Sequence, residues 1–328
     1  MQEKKIAVIG VGGRTGTMFC FELKEVANVL GVGQEIEKQL LVERKKEQTE
    51  SFEGRRILDS QWSLNDFSPD IIFLAIKNPV GPAIKYYYQK MKEKSIFPTL
   101  ILSQNGAAVT EEALSALKEV LGSDYEKIKI VRLNLFNPID RKQQKTKIIV
   151  NYSLPIRISF GKVSGPGDLK DIQSLFKKAG FETTEFSQNK IRDMELSKLF
   201  FNLIGIPSAT RGLGIKQGFE NSKAFTEEFK ALKEYIKVIK KSGNSFVNFP
   251  KHYVKWLTLI IQVLPIKLLL LFRKNIAKII TKGREGKPKD LTEIKYYNGF
   301  VVDLGEKLGI PTPINQKVVN RVLRTNFK

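Results

Sequence analysis

Two side chains in the second half of the sequence, Lys198 and Asn202, lie four residues apart in the run Leu196-Ser-Lys-Leu-Phe-Phe-Asn-Leu-Ile204. At that spacing they share one face of a helix. A lysine directed into an apolar pocket loses part of its hydration, its pKa falls, and it becomes a proton donor suited to a developing alkoxide. The same pair also fits a lysine stem laid along apolar surface beside a hydrogen-bonded interior asparagine. A later polar cluster, Thr292-Glu-Ile-Lys-Tyr-Tyr-Asn298, offers the carboxylate of Glu293 and the amide of Asn298. Glu293 either complements the dipole of the helix that follows or binds a substrate hydroxyl.

The third candidate lies at the start. Ile6 to Ile9 form an apolar run that predicts a buried strand, followed by Gly10-Val-Gly12-Gly13-Arg14-Thr15-Gly16 and a helical pattern from Thr17. A glycine turn between a buried strand and a helix brings backbone N–H groups to a pyrophosphate, and the helix dipole favours its charge. Gly10 and Gly12 fit the dinucleotide pattern, Thr15 stands where its third glycine is expected, and Gly16 follows one residue late. After the predicted second strand, Glu35 argues for NAD, whereas Lys38, Arg44, Lys45 and Lys46 argue for the 2′-phosphate of NADP. Two further apolar runs end in polar tips, Lys77-Asn78-Pro79 and Ser103-Gln104-Asn105-Gly106. Strand ends of this kind form the ligand crevice of open α/β sheets.

The elements that must carry these groups divide the chain in two. Alternating strands and helices, including a charged and partly irregular segment from Glu43 to Asp66, continue to a last strand at Thr183–Phe186. From Ile191 onward the pattern is helical, which predicts an α/β domain over 1–188 and an all-α domain over 189–328. The opening residues enter a strand directly, without the layout of a secretory signal, so a cytoplasmic protein is expected. One cysteine, Cys20, and one histidine, His252, exclude intrachain disulfides and multi-cysteine metal sites, and no metal is expected. The net charge of +21 comes from lysines spread over the whole chain, with no nucleic-acid-binding motif, so no nucleic-acid partner is expected. Phe249–Ile280 holds two apolar runs broken by Pro265 and Lys267, each too short for a bilayer span. It reads as a buried helix pair or homodimer surface, with a basic interfacial helix on anionic lipid as the alternative.

Taken together, the glycine turn, Phe73-Leu-Ala-Ile-Lys77, Leu102-Ser-Gln-Asn-Gly106, Ser197-Lys-Leu-Phe-Phe-Asn202 and Thr292 to Asn315 resemble the ketopantoate reductase family. The resemblance implies an N-terminal Rossmann-type doubly wound sheet followed by a helical C-terminal domain. It also implies NADPH-dependent reduction of a 2-keto acid, ketopantoate, to pantoate, with NADH as the alternative donor. On this likeness Lys198 is the general acid and Glu293 holds a substrate hydroxyl or orders the lysine. Asn202, Asn105 and Asn298 serve the substrate, with Asn105 at the nicotinamide end. Gly10 to Gly16, including Arg14 and Thr15, bind cofactor together with Lys77. Ile206 replaces a family asparagine, so a polar substrate contact is either lost or made by a neighbour such as Ser208, and Thr281 stands in for a family serine. These departures leave two alternatives, a reductase of the same fold acting on a different keto substrate, or a non-enzymatic nucleotide-binding or membrane-surface protein.

Overall fold

The computed structural model describes residues 3–44, 49–281 and 286–325. They form two compact units, 1–104 with 109–191, and 105–108 with 192–328.

The first unit contains twelve strands: β1 (Lys5–Ile9), β2 (Asn28–Gly33), β3 (Gln39–Arg44), β4 (Thr49–Ser51), β5 (Arg55–Leu58), β6 (Ile71–Leu74), β7 (Thr99–Leu102), β8 (Ile130–Leu135), β9 (Ile139–Gln143), β10 (Lys147–Tyr152), β11 (Arg157–Ser164) and β12 (Glu182–Phe186). Eight of them build a main sheet in the order β12-β11-β8-β7-β6-β1-β2-β5. From β8 through β5 every pairing is parallel, while β11 runs antiparallel to β8. The chain moves one way across the sheet from β1 to β2 and the other way from β6 to β8. Right-handed crossovers therefore put the helix Arg14–Leu23 on one face and the helices Gly81–Glu93 and Val109–Leu121 on the other. The order reverses between β1 and β6, and open α/β sheets bind ligands outside the carboxyl ends of the strands at such a point.

The helix Arg14–Leu23 buries Met18, Phe19, Cys20, Phe21 and Leu23 together. A helix apolar on nearly every side must be covered on both flanks. The second flank is a small sheet, β4-β3-β10-β9, whose Leu40, Val42, Ile148 and Val150 join the same core as Val8 and Phe73 of the main sheet. The Phe19 ring lies 4.1 Å from that of Phe73 and 5.7 Å from that of Phe181. Burial pushes the Cys20 thiol far up, so this cysteine is an inert part of the core.

Among its described residues, the segment from Glu43 to Asp66, expected to be charged and partly irregular, contributes two short strands between its turns. β3 is a half-buried strand with Leu40 and Val42 inward, β4 pairs back onto it, and β5 adds an edge to β2. The helix after the glycine turn starts at Arg14, three residues earlier than expected from the pattern at Thr17. The α/β sheet followed by a helical region is the expected fold class.

The second unit is organised on the helix Ser222–Lys241, which contacts the helices Ile206–Ala209, Ile215–Glu220, Val254–Val263, Ile266–Leu271, Asn298–Lys307 and Pro313–Thr325. Asn221 caps it, its side-chain oxygen accepting from the amides of Lys223 and Ala224 at 3.0 Å. Among the described residues no helix is long and apolar enough to cross a membrane.

Candidate active site

The glycine turn follows β1 at the point where the strand order reverses. Its amides are anchored from behind: Gly10 and Val11 donate to the carbonyl of Val32, and Gly13 donates to that of Gly10. Gly10 takes φ +94°, a conformation that disfavours any side chain, and a Cβ there would also lie 2.8 Å from the Ala75 carbonyl. At Gly16 a Cβ would fall 2.1 Å from the Gly10 oxygen. The late glycine thus lets helix and turn pack closely, the work of the third glycine in the dinucleotide pattern. Gly12 differs, because a Cβ there meets nothing nearer than 3.9 Å. The protein's own packing does not require glycine at this position, and its absence of a side chain keeps a mouth open.

That mouth is a cavity of about 620 Å³ lined by Gly10, Gly12, Gly13, Gln34, Glu35, Asp59, Tyr86, Tyr87 and Arg141, among others. No side chain caps the first turn of the helix Arg14–Leu23, which leaves it suited to an anion. Arg141, on β9, donates from Nε to the Gly12 carbonyl at 2.9 Å and forms a wall of the cavity. Glu35 is paired with Lys38 at 3.2 Å, and Asp59 accepts from the Tyr87 hydroxyl at 2.7 Å. A glycine cradle with open space at Gly12, an uncapped helix start and a cation beside them fit a dinucleotide. Arg14 is exposed, Thr15 half-buried and Lys77 exposed on the loop after β6; none of them lines the cavity.

The tip of β7 is pinned from inside. Arg132, 1% exposed, donates to the carbonyls of Leu102, Leu133 and Gln104 at 3.0, 3.0 and 2.6 Å. Ser103 and Gln104 both donate to the carbonyl of Leu74 at the end of β6. These bonds fix the two strand ends from which Lys77 and Asn105 depart.

The next residues, 105–108, belong with the helical unit. There Asn202 donates from Nδ2 to Oδ1 of Asn105 at 3.2 Å, so the structure brings together two residues singled out from distant parts of the sequence. Gly106, at φ +108°, packs so tightly that a Cβ would lie 2.9 Å from Cβ of Tyr296, and Arg192 donates to the carbonyl of Ala107. Lys198 and Asn202 sit half-buried on the helix Ile191–Leu203, whose end is tied by the Lys289 ammonium to the carbonyls of Phe201 and Asn202. Glu293, half-buried, precedes the short turn Ile294–Tyr296 and accepts from the Tyr297 hydroxyl at 3.4 Å.

Two expectations are corrected. Ser208 is fully buried, with its hydroxyl and amide both donating to Glu228 at 2.6 and 2.9 Å, so it holds the turn after the Lys198 helix instead of meeting a substrate. Asn298 is also fully buried and donates to Asn315, whose own amide nitrogen bonds Glu234 and the Ala231 carbonyl. Its role is to join the last two helices. Thr281 ends the helix Arg273–Thr281, and its side chain lies outside the described structure.

Four residues at or around these sites had gone unremarked in the sequence. Arg132 could have been found as a lone cation inside an apolar strand, and Glu228 as a carboxylate on the apolar face of its helix. Arg141 and Lys289 stand in polar surroundings that carry no such signal.

Comparison with known proteins agrees with this layout. Residues 190–325 match the family model described as ketopantoate reductase PanE/ApbA C terminal. Over that span the chain is similar to the C-terminal domain of ketopantoate reductases. That family is one of oxidoreductases, and the matched span includes the positions of Lys198, Asn202 and Glu293. Among curated proteins none matches the sequence. Solved structures do. The PanE/ApbA family ketopantoate reductase from Ralstonia eutropha JMP134 shares 14% identity at a TM-score of 0.68, covering 97% of this chain and 96% of its own. D-mandelate dehydrogenase in ternary complex with NADH and anilino(oxo)acetate shares 16% at 0.69, with 98% and 97% covered. A dimeric ketopantoate reductase from Staphylococcus aureus shares 16% at 0.62, with 98% of each covered. At these identities the likeness is one of fold over the whole chain.

Proposed function

We propose that this protein is a nicotinamide-dependent reductase of a 2-keto acid, with ketopantoate as substrate and NADPH as the donor. The observation that carries the reading is the cavity at the glycine turn, where Gly12 leaves open space beside an uncapped helix start and Arg141. A reduced nicotinamide dinucleotide held there would supply hydride to the keto carbon. Gly10, Gly12 and Gly13 would cradle its pyrophosphate, and Arg141 and Lys38 are the cations on hand for a 2′-phosphate.

The chain's own chemistry is then proton supply and orientation. Hydride addition leaves an oxyanion, which an ammonium both stabilises and protonates. Lys198 is the residue for that role, and Glu293 holds a substrate hydroxyl or orders the lysine. Asn202, fixed by its bond to Asn105, presents an amide to the substrate. The mandelate dehydrogenase structure, bound to NADH and a keto acid analogue, favours a second reading in which the same machinery reduces a different keto acid with NADH.

Lys198→Ala tests the first role. Turnover should fall by about 100-fold or more, as expected for loss of a general acid, while NADPH affinity measured by titration stays unchanged. Unchanged turnover would remove Lys198 from the mechanism.

A further inference from the structure

Of the large hydrophobic side chains that are exposed, all but Tyr86 lie between Tyr253 and Ile279, among the described residues. The helix Val254–Val263 turns Val254, Thr258 and Ile261 inward. Trp256, Leu259, Ile260 and Val263, spaced as one helical stripe, are 63, 46, 43 and 66% exposed. Leu268, Leu271 and Phe272 continue the apolar surface through the next short helix, and Ile279 is 76% exposed beyond it. Lys251, Lys255, Lys267, Lys274 and Lys278 are exposed along the same stretch. No Asp or Glu occurs anywhere from Tyr235 to Arg284. A shallow concavity lined by Lys251, His252, Tyr253, Trp256 and Leu257 opens at one end of it.

We infer that this face is a docking surface for an anionic membrane. Charge decides among the partners that an apolar face could take. A second copy of the chain would set one acid-free lysine array against another, and nucleic acid would leave the apolar stripe in water. An anionic lipid surface satisfies both features at once, the apolar side chains entering the headgroup boundary while the lysines meet lipid phosphates. The protein lies on the bilayer and does not cross it. The helix Val254–Val263 has 10 residues, so it is about 15 Å long against a hydrocarbon core of about 30 Å.

The two tryptophans make the test direct. Trp62 is buried, its indole donating to the Phe67 carbonyl, whereas Trp256 is exposed, so a change in emission on docking reports Trp256. The full chain should co-sediment at low ionic strength with phosphatidylcholine vesicles containing phosphatidylglycerol, with a blue shift in tryptophan emission. It should be released at high salt and should not bind phosphatidylcholine alone. Each lysine removed should weaken binding about fivefold, so Lys267→Gln, Lys274→Gln and Lys278→Gln together should weaken it roughly 100-fold with NADPH binding unchanged. Trp256→Phe should still co-sediment but lose the shift. Equal binding to neutral vesicles, no binding to either kind, or a shift that survives Trp256→Phe would overturn the inference. So would a dimer in free solution that already shields Trp256, since the face would then be an interface between copies.

Discussion

Gly12→Ala separates the fold of the glycine turn from its use. The new Cβ would meet nothing nearer than 3.9 Å, and Gly12 has no left-handed backbone to strain. Folding should therefore be unharmed, or gain up to about 1 kcal/mol from the smaller freedom of the unfolded chain. Cofactor binding should suffer, because the methyl occupies the mouth where the pyrophosphate would lie. An extra methyl forced into filled space costs about 1–3 kcal/mol, or roughly 5- to 150-fold in Kd. Gly16→Ala is the contrasting perturbation. Its Cβ would fall 2.1 Å from the Gly10 oxygen and 2.7 Å from the Gly10 carbonyl carbon, backbone atoms that cannot move aside cheaply. The loss should be about 3 kcal/mol or more of stability, among the larger effects of a single substitution. Urea unfolding of the free protein and titration with NADPH and NADH measure the two quantities. A Gly12→Ala variant that folds normally and binds dinucleotide as tightly as the original would refute the assignment of this cavity.

Glu228 should make stability depend on pH. Burial pushes its carboxyl up to about 7, against the bonds from Ser208 and Gly205 that favour its charge. The folded state then holds a proton that the unfolded chain has lost above about 4.5. Its contribution is complete below that value and is lost as pH rises through about 7, by up to about 3 kcal/mol. Unfolding near pH 5 and near pH 8 should show the fall, and Glu228→Gln should flatten it; a profile unaltered in the variant would assign the dependence elsewhere. Arg132→Ala would leave the carbonyls of Leu102, Leu133 and Gln104 buried without their donor. It should cost about 3 kcal/mol or more in urea unfolding, and a loss below about 1 kcal/mol would mean that the strand tip relaxes or admits water.

Where periodicity and composition agreed, the sequence was a sufficient guide. Ile6–Ile9 and Ile71–Leu74 are continuous apolar runs, and buried parallel strands leave little room for another reading. Gly10 was legible because only a tight turn can follow such a strand so closely. β9 was not legible: Ile139-Asp-Arg-Lys-Gln143 is polar after its first residue, and only its ladder with β10 makes it a strand. The inward side of the small sheet was also hidden, since the short run Leu40-Leu-Val42 does not show which of its side chains turn inward until the helix Arg14–Leu23 is seen between two sheets. At the site, helical spacing placed Lys198 and Asn202 together, but no local pattern could show that Asn202 meets Asn105 across 97 positions. Ser208 and Asn298 misled because a polar residue near a motif reads as available, and availability is a matter of burial. Each is held by a carboxylate or amide of another helix, 20 and 17 positions on.

The central claim is ketoacid reduction at this site, and the most direct measurement follows loss of reduced-nicotinamide absorbance on adding ketopantoate, with NADPH and NADH in parallel. Rapid ketopantoate-dependent oxidation, faster with NADPH and slowed about 100-fold or more in Lys198→Ala, is the predicted result. Clear dinucleotide binding without oxidation by ketopantoate or any other 2-keto acid would contradict it.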